Sequence, residues 1–353
     1  MPTAERGNLL VYALWAFGIV GVFVLLREAW VGTLADRDFV AVWVAGKMAA
    51  AGHAAQAFDA TTLHAAAKQM VGTGPKIAYP YPPHALFFAV PLSFLPLPIA
   101  FWGWQAVSAA LFYLAARPYL PAGFPKLLAI LTPAALINVV FGQVGLLLGA
   151  LWLFAFSGSA IAAAALTFKP HLGLLVAVEA VRRRQVIVTC AIAVVIIGLS
   201  AAIFGVEAWQ AWFTNSIAHQ AGDLATKPYT NWYFKMPTPY LGYGLAGWIL
   251  FGAAGIYLLT RRFDVFTAAT ASFLIAPYGF HYDMPVVSLG FGLLLYLKWR
   301  DLPAWQVFIG ALGFLLPLLV GQGTWLGPPI LLAGLYIQTK NPIVKQGALV
   351  SEP

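Results

Sequence analysis

The chain has 353 residues, of which 61% are hydrophobic and 9% are charged, and its formal net charge is +8. Soluble domains average about 45–50% apolar and about 25% charged residues. This composition therefore excludes a soluble globular enzyme, a disordered chain and a disulfide-rich scaffold, and it predicts an all-α polytopic membrane protein. The basic residues are spread between apolar runs, which is typical of positive charges at the cytoplasmic ends of spans rather than of nucleic-acid binding.

The first apolar run, residues 9–26, is long enough to cross a bilayer and has no small-residue cleavage pattern, so we expect a retained anchor. Arg6 precedes this run, which predicts a cytoplasmic N-terminus. The polar stretch that follows, residues 27–83, then lies outside as a long loop. It contains two helix-like pieces, at about residues 39–51 and 61–70.

The next apolar region is interrupted and short. Residues 83–116 read as one long, broken span, which Pro91, Pro96 and Pro98 would kink or make partly re-entrant. Four short apolar pieces follow, at about 127–140, 143–157, 159–168 and 171–181. Several are too short to cross a ~30 Å hydrocarbon core alone. We therefore expect short or re-entrant helices packed within protein around a cavity.

Apolar runs continue through the second half of the chain. After Arg182-Arg183-Arg184, a span over residues 185–204 leads to a second outer loop, residues 205–240. Five more spans are predicted, at about 241–260, 264–280, 284–298, 303–320 and 324–338. The basic turns between them fall on one side. We therefore expect about 12 membrane helices in a single integrated domain over residues 1–340, a short cytoplasmic tail over 341–353, and both termini in the cytoplasm.

Polar side chains are concentrated on the outer side. All six histidines fall in outer loops or at their boundaries, and the acidic residues found there are Glu28, Asp36, Asp38, Asp59, Glu207, Asp223 and Asp283. An anchor or scaffold is not expected to show such one-sided enrichment. The distribution therefore indicates a site at the extracytoplasmic face.

Two carboxylates follow the first span. Asp36 and Asp38 flank an arginine at the membrane surface, so either could serve as a base, or Asp38 could simply cap the next helix. Further on, prolines make residues 79–84 a rigid, extended entry into the membrane. Tyr79 and Tyr81 there form either an interfacial aromatic belt or a surface that stacks on sugar or lipid groups, with His84 beside them.

Polar residues also lie between the short apolar pieces. Lys169 at membrane depth is costly, by about 2.5–3.5 kcal/mol, and is rarely found without a partner or an anionic ligand. With His171 it suits a phosphate, although snorkelling to the interface is the alternative. Gln143 reads as a substrate contact or a helix–helix hydrogen bond. His281, Tyr282 and Asp283 lie in a tight outer turn, which is either part of a functional site or a plain turn.

Beyond these positions, Trp209, Trp212 and Phe213 recur at helical spacing, which predicts an amphipathic helix on the outer leaflet. The sequence contains no glycine-rich phosphate loop, no His-x-x-x-His pair and no Gly-x-Ser-x-Gly elbow. We therefore expect neither ATP-driven nor serine-hydrolase chemistry.

The order of these motifs resembles the glycosyltransferase family 87 membrane proteins, which have the GT-C fold. The resemblance runs from about residue 8 to 300 and rests on Asp38-Phe39, Phe58-Asp59, Tyr81-Pro82-Pro83, Gly142-Gln143, Lys169-Pro170 and Tyr282-Asp283. The family's best-known members are polyprenol-phosphate-mannose-dependent α-mannosyltransferases. Those enzymes carry Ser-Pro-x-Ser-Trp in the late outer turn, where this chain has Ala276-Pro277-Tyr278-Gly279-Phe280.

The resemblance implies a GT-C-type bundle and an inverting sugar transfer, with mannose favoured, from a polyprenyl-phosphate-sugar donor to a glycolipid or glycan acceptor. Transfer is expected at the outer face of the bacterial inner membrane. The family position of the catalytic aspartate matches Asp38 best, with Asp36 second. No nucleic-acid partner is expected.

The chemistry of this transfer assigns roles to the remaining candidates. Because a lipid phosphate is already a good leaving group, one carboxylate base is enough, and positive charge and hydrogen-bond donors must stabilise the phosphate. We expect this from Lys169 and His171 supported by His281 and Tyr282, without a metal or other cofactor. Substrate contacts are expected from Tyr79, Tyr81, His84, Gln143 and Asp283. The competing hypotheses are a lipid-linked-sugar flippase, a secondary transporter or a non-catalytic assembly subunit.

Overall fold

A computed structural model describes residues 3–27, 31–72, 78–216, 244–276, 279–319 and 326–343. Most of the second predicted outer loop and of the predicted tail lies outside these ranges. Within them, the regular structure is helical. The first eight α-helices, α1 to α8, span Thr3–Leu25, Phe39–Ala50, Ala60–Val71, Leu86–Ser93, Leu97–Ala116, Pro133–Phe141, Gly145–Phe156 and Ala160–Ala165. The next eight, α9 to α16, span Pro170–Arg182, Val186–Phe204, Val206–Ala211, Gly244–Arg261, Val265–Ile275, Pro285–Lys298, Ala304–Leu319 and Gly327–Lys340.

The described helices confirm the all-helical prediction but not the predicted count of about 12 spans. Two helical segments are long and apolar enough to cross a membrane by length and composition, Leu97–Tyr119 and Val186–Phe204. Many of the others are shorter, including the four predicted between residues 127 and 181, which appear as α6 to α9. The two helix-like pieces of the first outer loop appear as α2 and α3.

The predicted long, broken span over residues 83–116 forms two helices, α4 and α5. Pro91 lies inside α4 without ending it. The break comes at Pro96, whose extended backbone angles place it at the N-cap of α5. Trp43 of α2 stabilises the break, because its indole donates a hydrogen bond to the Leu95 carbonyl oxygen at 3.0 Å.

Helix α2 is buried although it belongs to a loop that the sequence suggested was polar. Nine of its 12 residues are buried, and it packs along α4. At Gly46 a Cβ atom would lie 2.2 Å from the Ala89 carbonyl oxygen, so only glycine allows this approach. The start of α2 is thereby fixed within the protein, at the position where the first candidate carboxylates lie.

Helix α10 faces outward along its length. Ser200 is its only buried residue, and Ile187, Val194 and Ile203 are among its exposed apolar side chains. A 19-residue apolar helix with this surface is suited to contact with lipid hydrocarbon. The inner core lies elsewhere, in one connected cluster of buried hydrophobic residues that extends from Val11 to Ile337.

The basic turn at residues 182–184 ties several helices together. Glu179 accepts hydrogen bonds from Arg182 at 3.2 Å and from Arg183 at 2.7 Å. Arg183 also donates to the carbonyl oxygen of Phe156 at the end of α7, and Arg182 donates to that of Phe263. From the sequence, this arginine run indicated only which side of the membrane the turn faces. In the structure it also connects α7, α9 and the α12–α13 turn.

Candidate functional site

Asp38 occupies the N-cap position of α2 but its side chain makes no capping hydrogen bond. Its Oδ2 instead accepts a 2.7 Å hydrogen bond from Nε2 of Gln143, which lies 105 residues further along the chain. The capping alternative therefore does not account for this carboxylate. Asp59 is the contrasting case, since its Oδ1 accepts from the backbone and the hydroxyl of Thr62, and these bonds lower the pKa of the Asp59 carboxyl.

Gln143 is presented by the tight turn between α6 and α7. Gly142 ends α6 in the left-handed region with φ +72°, and a Cβ atom there would lie 2.6 Å from Cβ of Phe39. Glycine is therefore required by both conformation and space. Gln143 is 8% exposed, and its backbone carbonyl accepts from the indole of Trp104 at 3.3 Å. The side-chain amide is thus held in place beside Asp38.

The second amide atom of Gln143 continues a hydrogen-bond chain. Tyr81 donates its hydroxyl to Oε1 of Gln143 at 3.2 Å. A continuous chain of hydrogen bonds therefore joins three of the predicted site residues, Tyr81, Gln143 and Asp38. Tyr79 is 1% exposed and packs against the rings of Tyr81 and Phe58, so it does not belong to an interfacial belt.

Asp36, the second candidate base, is placed differently. It is exposed at the end of a short 3₁₀ turn, Leu34–Asp36, and its Oδ2 accepts a 2.7 Å hydrogen bond from the Thr33 hydroxyl. Between the two aspartates, Arg37 is buried and donates to the carbonyl oxygen of Val140 near the end of α6. No role was predicted for Arg37 from the sequence, although its position between two candidate carboxylates was the signal that could have marked it.

Lys169 has a partner within the chain. Its Nζ lies 2.6 Å from both carboxylate oxygens of Asp283, and the two side chains are 8% and 0% exposed. The same nitrogen lies 5.4 Å and 5.3 Å from the ring centres of Phe280 and Tyr282, within cation–π range. Two residues that the sequence assigned to separate roles, phosphate binding and substrate binding, therefore form one buried ion pair.

The ion pair and the Asp38 cluster are joined by short links. Asn138 of α6 donates to the Tyr282 carbonyl oxygen at 2.5 Å, and its Oδ1 accepts from the backbone of Leu146 in α7. A Cβ atom on Gly145 would lie 1.8 Å from that same carbonyl oxygen. The α6–α7 turn that carries Gln143 is therefore packed directly on the turn that carries Asp283.

A second link runs through aromatic rings. Tyr81, the hydrogen-bond partner of Gln143, has its ring centre 6.1 Å from that of Phe168, the residue before Lys169. His84 forms a 3.3 Å hydrogen bond with Thr167 through Nε2 and stacks on Trp209 at 5.8 Å. Trp209 of the predicted amphipathic helix thus packs toward the site.

The other two histidines among the predicted site residues lie next to the ion pair in the sequence. His171 lies two residues after Lys169, in the first turn of α9. His281 begins the 3₁₀ turn that ends at Asp283, and its ring lies edge-on to Phe141 at 6.0 Å. Among the described residues, no three His, Cys, Asp or Glu side chains are grouped as metal ligands.

Comparison with known proteins gives one match. The model of glycosyltransferase family 87 matches residues 79–280, which is more than half of the chain. The matched range contains Tyr81, Gln143 and Lys169, begins after Asp38 and ends before Asp283. No curated protein and no solved structure matches the chain.

Proposed function

Since the chain belongs to glycosyltransferase family 87 and is therefore a glycosyltransferase, we propose that its donor is a polyprenyl-phosphate-linked sugar, with mannose favoured. The acceptor is a lipid-linked or other glycan. Transfer inverts the anomeric centre and takes place at the outer face of the bacterial inner membrane. The observation that carries this proposal is a carboxylate held by the amide of Gln143, on a turn that packs against the turn of the buried Lys169–Asp283 ion pair.

Asp38 acts as the base in this proposal. Its carboxylate takes the proton of the acceptor hydroxyl as that oxygen attacks the anomeric carbon of the donor. The bond from this carbon to the phosphate oxygen breaks, and the phosphate leaves with the electron pair. No second carboxylic acid has to protonate the leaving group, because a lipid phosphate is stable as an anion.

Gln143 and Tyr81 hold the base in position. The 2.7 Å bond from Gln143 fixes the orientation of the Asp38 carboxylate, and the Tyr81 hydroxyl fixes the amide in turn. Each of the three side chains comes from a different part of the chain, and Trp104 anchors the backbone of Gln143. This arrangement is preorganised before the substrate binds. Such positioning of a catalytic group contributes strongly to the rate.

The ion pair between Lys169 and Asp283 provides the charge for the phosphate. An isolated lysine at this depth would be costly, and Asp283 offsets that cost. The Lys169 ammonium has three hydrogens, and donor phosphate oxygens can compete with Asp283 for them. In this proposal Asp283 positions Lys169, while His171, His281 and Tyr282 supply further hydrogen-bond donors, and His84 borders the sugar.

The test is transfer of radiolabelled sugar from a short-chain polyprenyl-phosphate donor to membrane glycolipids by the purified full-length protein. We expect Asp38→Asn to lower the transfer rate by about 10²–10⁴-fold with donor binding retained. Asp36→Asn and Asp59→Asn are matched controls, since Asp36 is exposed and asparagine caps a helix as well as aspartate does.

An active Asp38→Asn enzyme would contradict the assignment of the base. No transfer from any polyprenyl-phosphate-sugar donor would contradict the donor class. A flippase or a transporter would move the lipid-linked sugar across a vesicle membrane without transfer, so vesicles that report both processes separate these alternatives.

A further inference from the structure

An apolar groove lies between α12, α15 and α16, away from the Asp38 cluster. Its volume is about 500 Å³, and its lining includes Phe251, Tyr257, Trp305, Pro329, Leu332 and Tyr336. The groove opens on the outer surface of the helical bundle, where a membrane protein meets lipid. A space of this size and apolar character is suited to the acyl chain of a lipid.

Aromatic side chains mark one end of the groove. Tyr257 is 56% exposed, Trp305 is 50% exposed and Tyr336 is 42% exposed. Tyr257 and Tyr336 lie near the C-terminal ends of α12 and α16, and Trp305 lies near the start of α15. Tyrosine and tryptophan concentrate at the level of lipid headgroups, so this end of the groove matches a membrane interface.

Two cations lie at the same end. Arg261 places its guanidinium 5.0 Å from the ring centre of Tyr257 and donates to its hydroxyl. Lys340 is exposed and follows Tyr336 by one helical turn, about 6 Å along the axis. In the part of the chain that the structure describes, no acidic side chain pairs with either of them.

The neighbouring acidic residues do not offset these two cations. Arg262 forms a 2.6 Å ion pair with Asp264, and Asp301 follows two basic residues, Lys298 and Arg300, in the turn before Trp305. The charge left over at the aromatic end of the groove is therefore positive. It is complementary to a negatively charged headgroup attached to the chain that fills the groove.

We propose that this groove binds an anionic phospholipid of the cytoplasmic leaflet. One acyl chain lies along α12 and α16, and the headgroup phosphate meets Arg261 and Lys340. Anionic lipids are concentrated in that leaflet, and each basic residue near its surface strengthens their binding. The site is separate from the glycosyl-transfer site, so its occupancy does not depend on the proposed donor.

The test is native mass spectrometry of the full-length protein titrated with dioleoyl phosphatidylglycerol or dioleoyl phosphatidylethanolamine. We expect tighter binding of phosphatidylglycerol, and about tenfold weaker binding after Arg261→Gln combined with Lys340→Gln. The matched control is Arg117→Gln combined with Arg184→Gln, which removes two exposed charges away from the groove and should leave the preference unchanged.

A second variant tests the groove itself. Ala333→Phe places a ring in the cavity without changing charge, so it should weaken binding of both phospholipids while sugar transfer and thermal stability stay at the wild-type level. Equal binding of the two lipids by the wild type would overturn the proposal, as would a preference that survives the double substitution. Displacement of phosphatidylglycerol from the groove by equimolar short-chain polyprenyl phosphate would also overturn it.

Discussion

The residue with the most consequential partner is Lys169. Its ion pair with Asp283 is buried on both sides, and a buried pair loses several kcal/mol per ion in desolvation before attraction repays it. Stability alone gives little reason to keep such a pair, because apolar residues of similar volume are often as stable or more so. Under the proposed function the pair makes a positive charge available to the donor phosphate, and this role can be separated from a structural one by experiment.

Removing one member and removing both should have different effects. Lys169→Ala leaves an uncompensated carboxylate and should destabilise the protein by about 3–5 kcal/mol, while Lys169→Met combined with Asp283→Leu should restore most of that loss. Neither variant should bind the polyprenyl-phosphate donor with wild-type affinity. Thermal unfolding in detergent and donor-binding isotherms measure the two properties. A stable double variant with unchanged donor affinity would assign the pair to the fold alone.

Gln143 offers a second test at the scale of one residue. Gln143→Glu replaces the donated hydrogen bond to Asp38 with a second carboxylate, and two neighbouring carboxylates resist ionising together. We expect kcat to fall by about tenfold to a hundredfold and the acid limb of the pH–rate profile to move up by about one unit. Tyr81→Phe, which leaves the amide in place, should have the smaller effect. An unmoved acid limb in Gln143→Glu would argue against contact with the base.

At the scale of elements, the turn between α6 and α7 organises the site. It presents Gln143 to Asp38 on one side, and through Asn138 and Gly145 it packs on the turn of Asp283 on the other. Gly142 and Gly145, on either side of Gln143, are both required by close contacts, and Gly142 also by its left-handed backbone. Displacement of this one turn would therefore disturb both halves of the site together.

Gly142→Ala should show this coupling. The left-handed backbone at this position costs a side-chain-bearing residue about 1–2 kcal/mol, and the added Cβ would meet Phe39 and Phe101. We expect lower thermal stability and loss of transfer in a turnover assay. Gly103→Ala is the matched control, because nothing lies within 4 Å of its added Cβ and alanine favours the helix. A Gly142→Ala enzyme with normal stability and rate would show that the turn adapts.

The helices were largely predictable from the sequence, whereas the contacts between side chains of distant helices were not. The predicted span over residues 185–204 matches the helix Val186–Phe204, because a long apolar run between polar flanks is interpreted only as a spanning helix. The site could not be assembled in the same way, since Asp38 meets Gln143 across 105 residues and Lys169 meets Asp283 across 114. A single sequence contains no record of such pairings. A break in the span over residues 83–116 was predicted, but its position at Pro96 was not, because three nearby prolines were equally good candidates for it.

At the scale of the whole molecule, the charges divide between two ends. The arginines near Glu179 and the capping box of Asp264 lie at the ends of α7, α9 and α12, and the Asp38 cluster lies at the opposite ends of α6 and α7. The basic turns predict that the first of these ends is cytoplasmic. Since the donor sugar would then be used on the other side, the orientation of the chain is part of its function.

Cysteine labelling in intact cells measures this orientation. Cys190 is the single cysteine, so a Cys190→Ser chain is a clean background for new thiols. Gln69→Cys in α3 and Asp301→Cys in the turn after α14 both replace exposed residues, one near each end. We expect a membrane-impermeant maleimide to label the Gln69→Cys protein in intact spheroplasts, and the Asp301→Cys protein only after permeabilisation. The reverse pattern would place Asp38 on the cytoplasmic side, where the proposed donor would have to be presented by the inner leaflet instead.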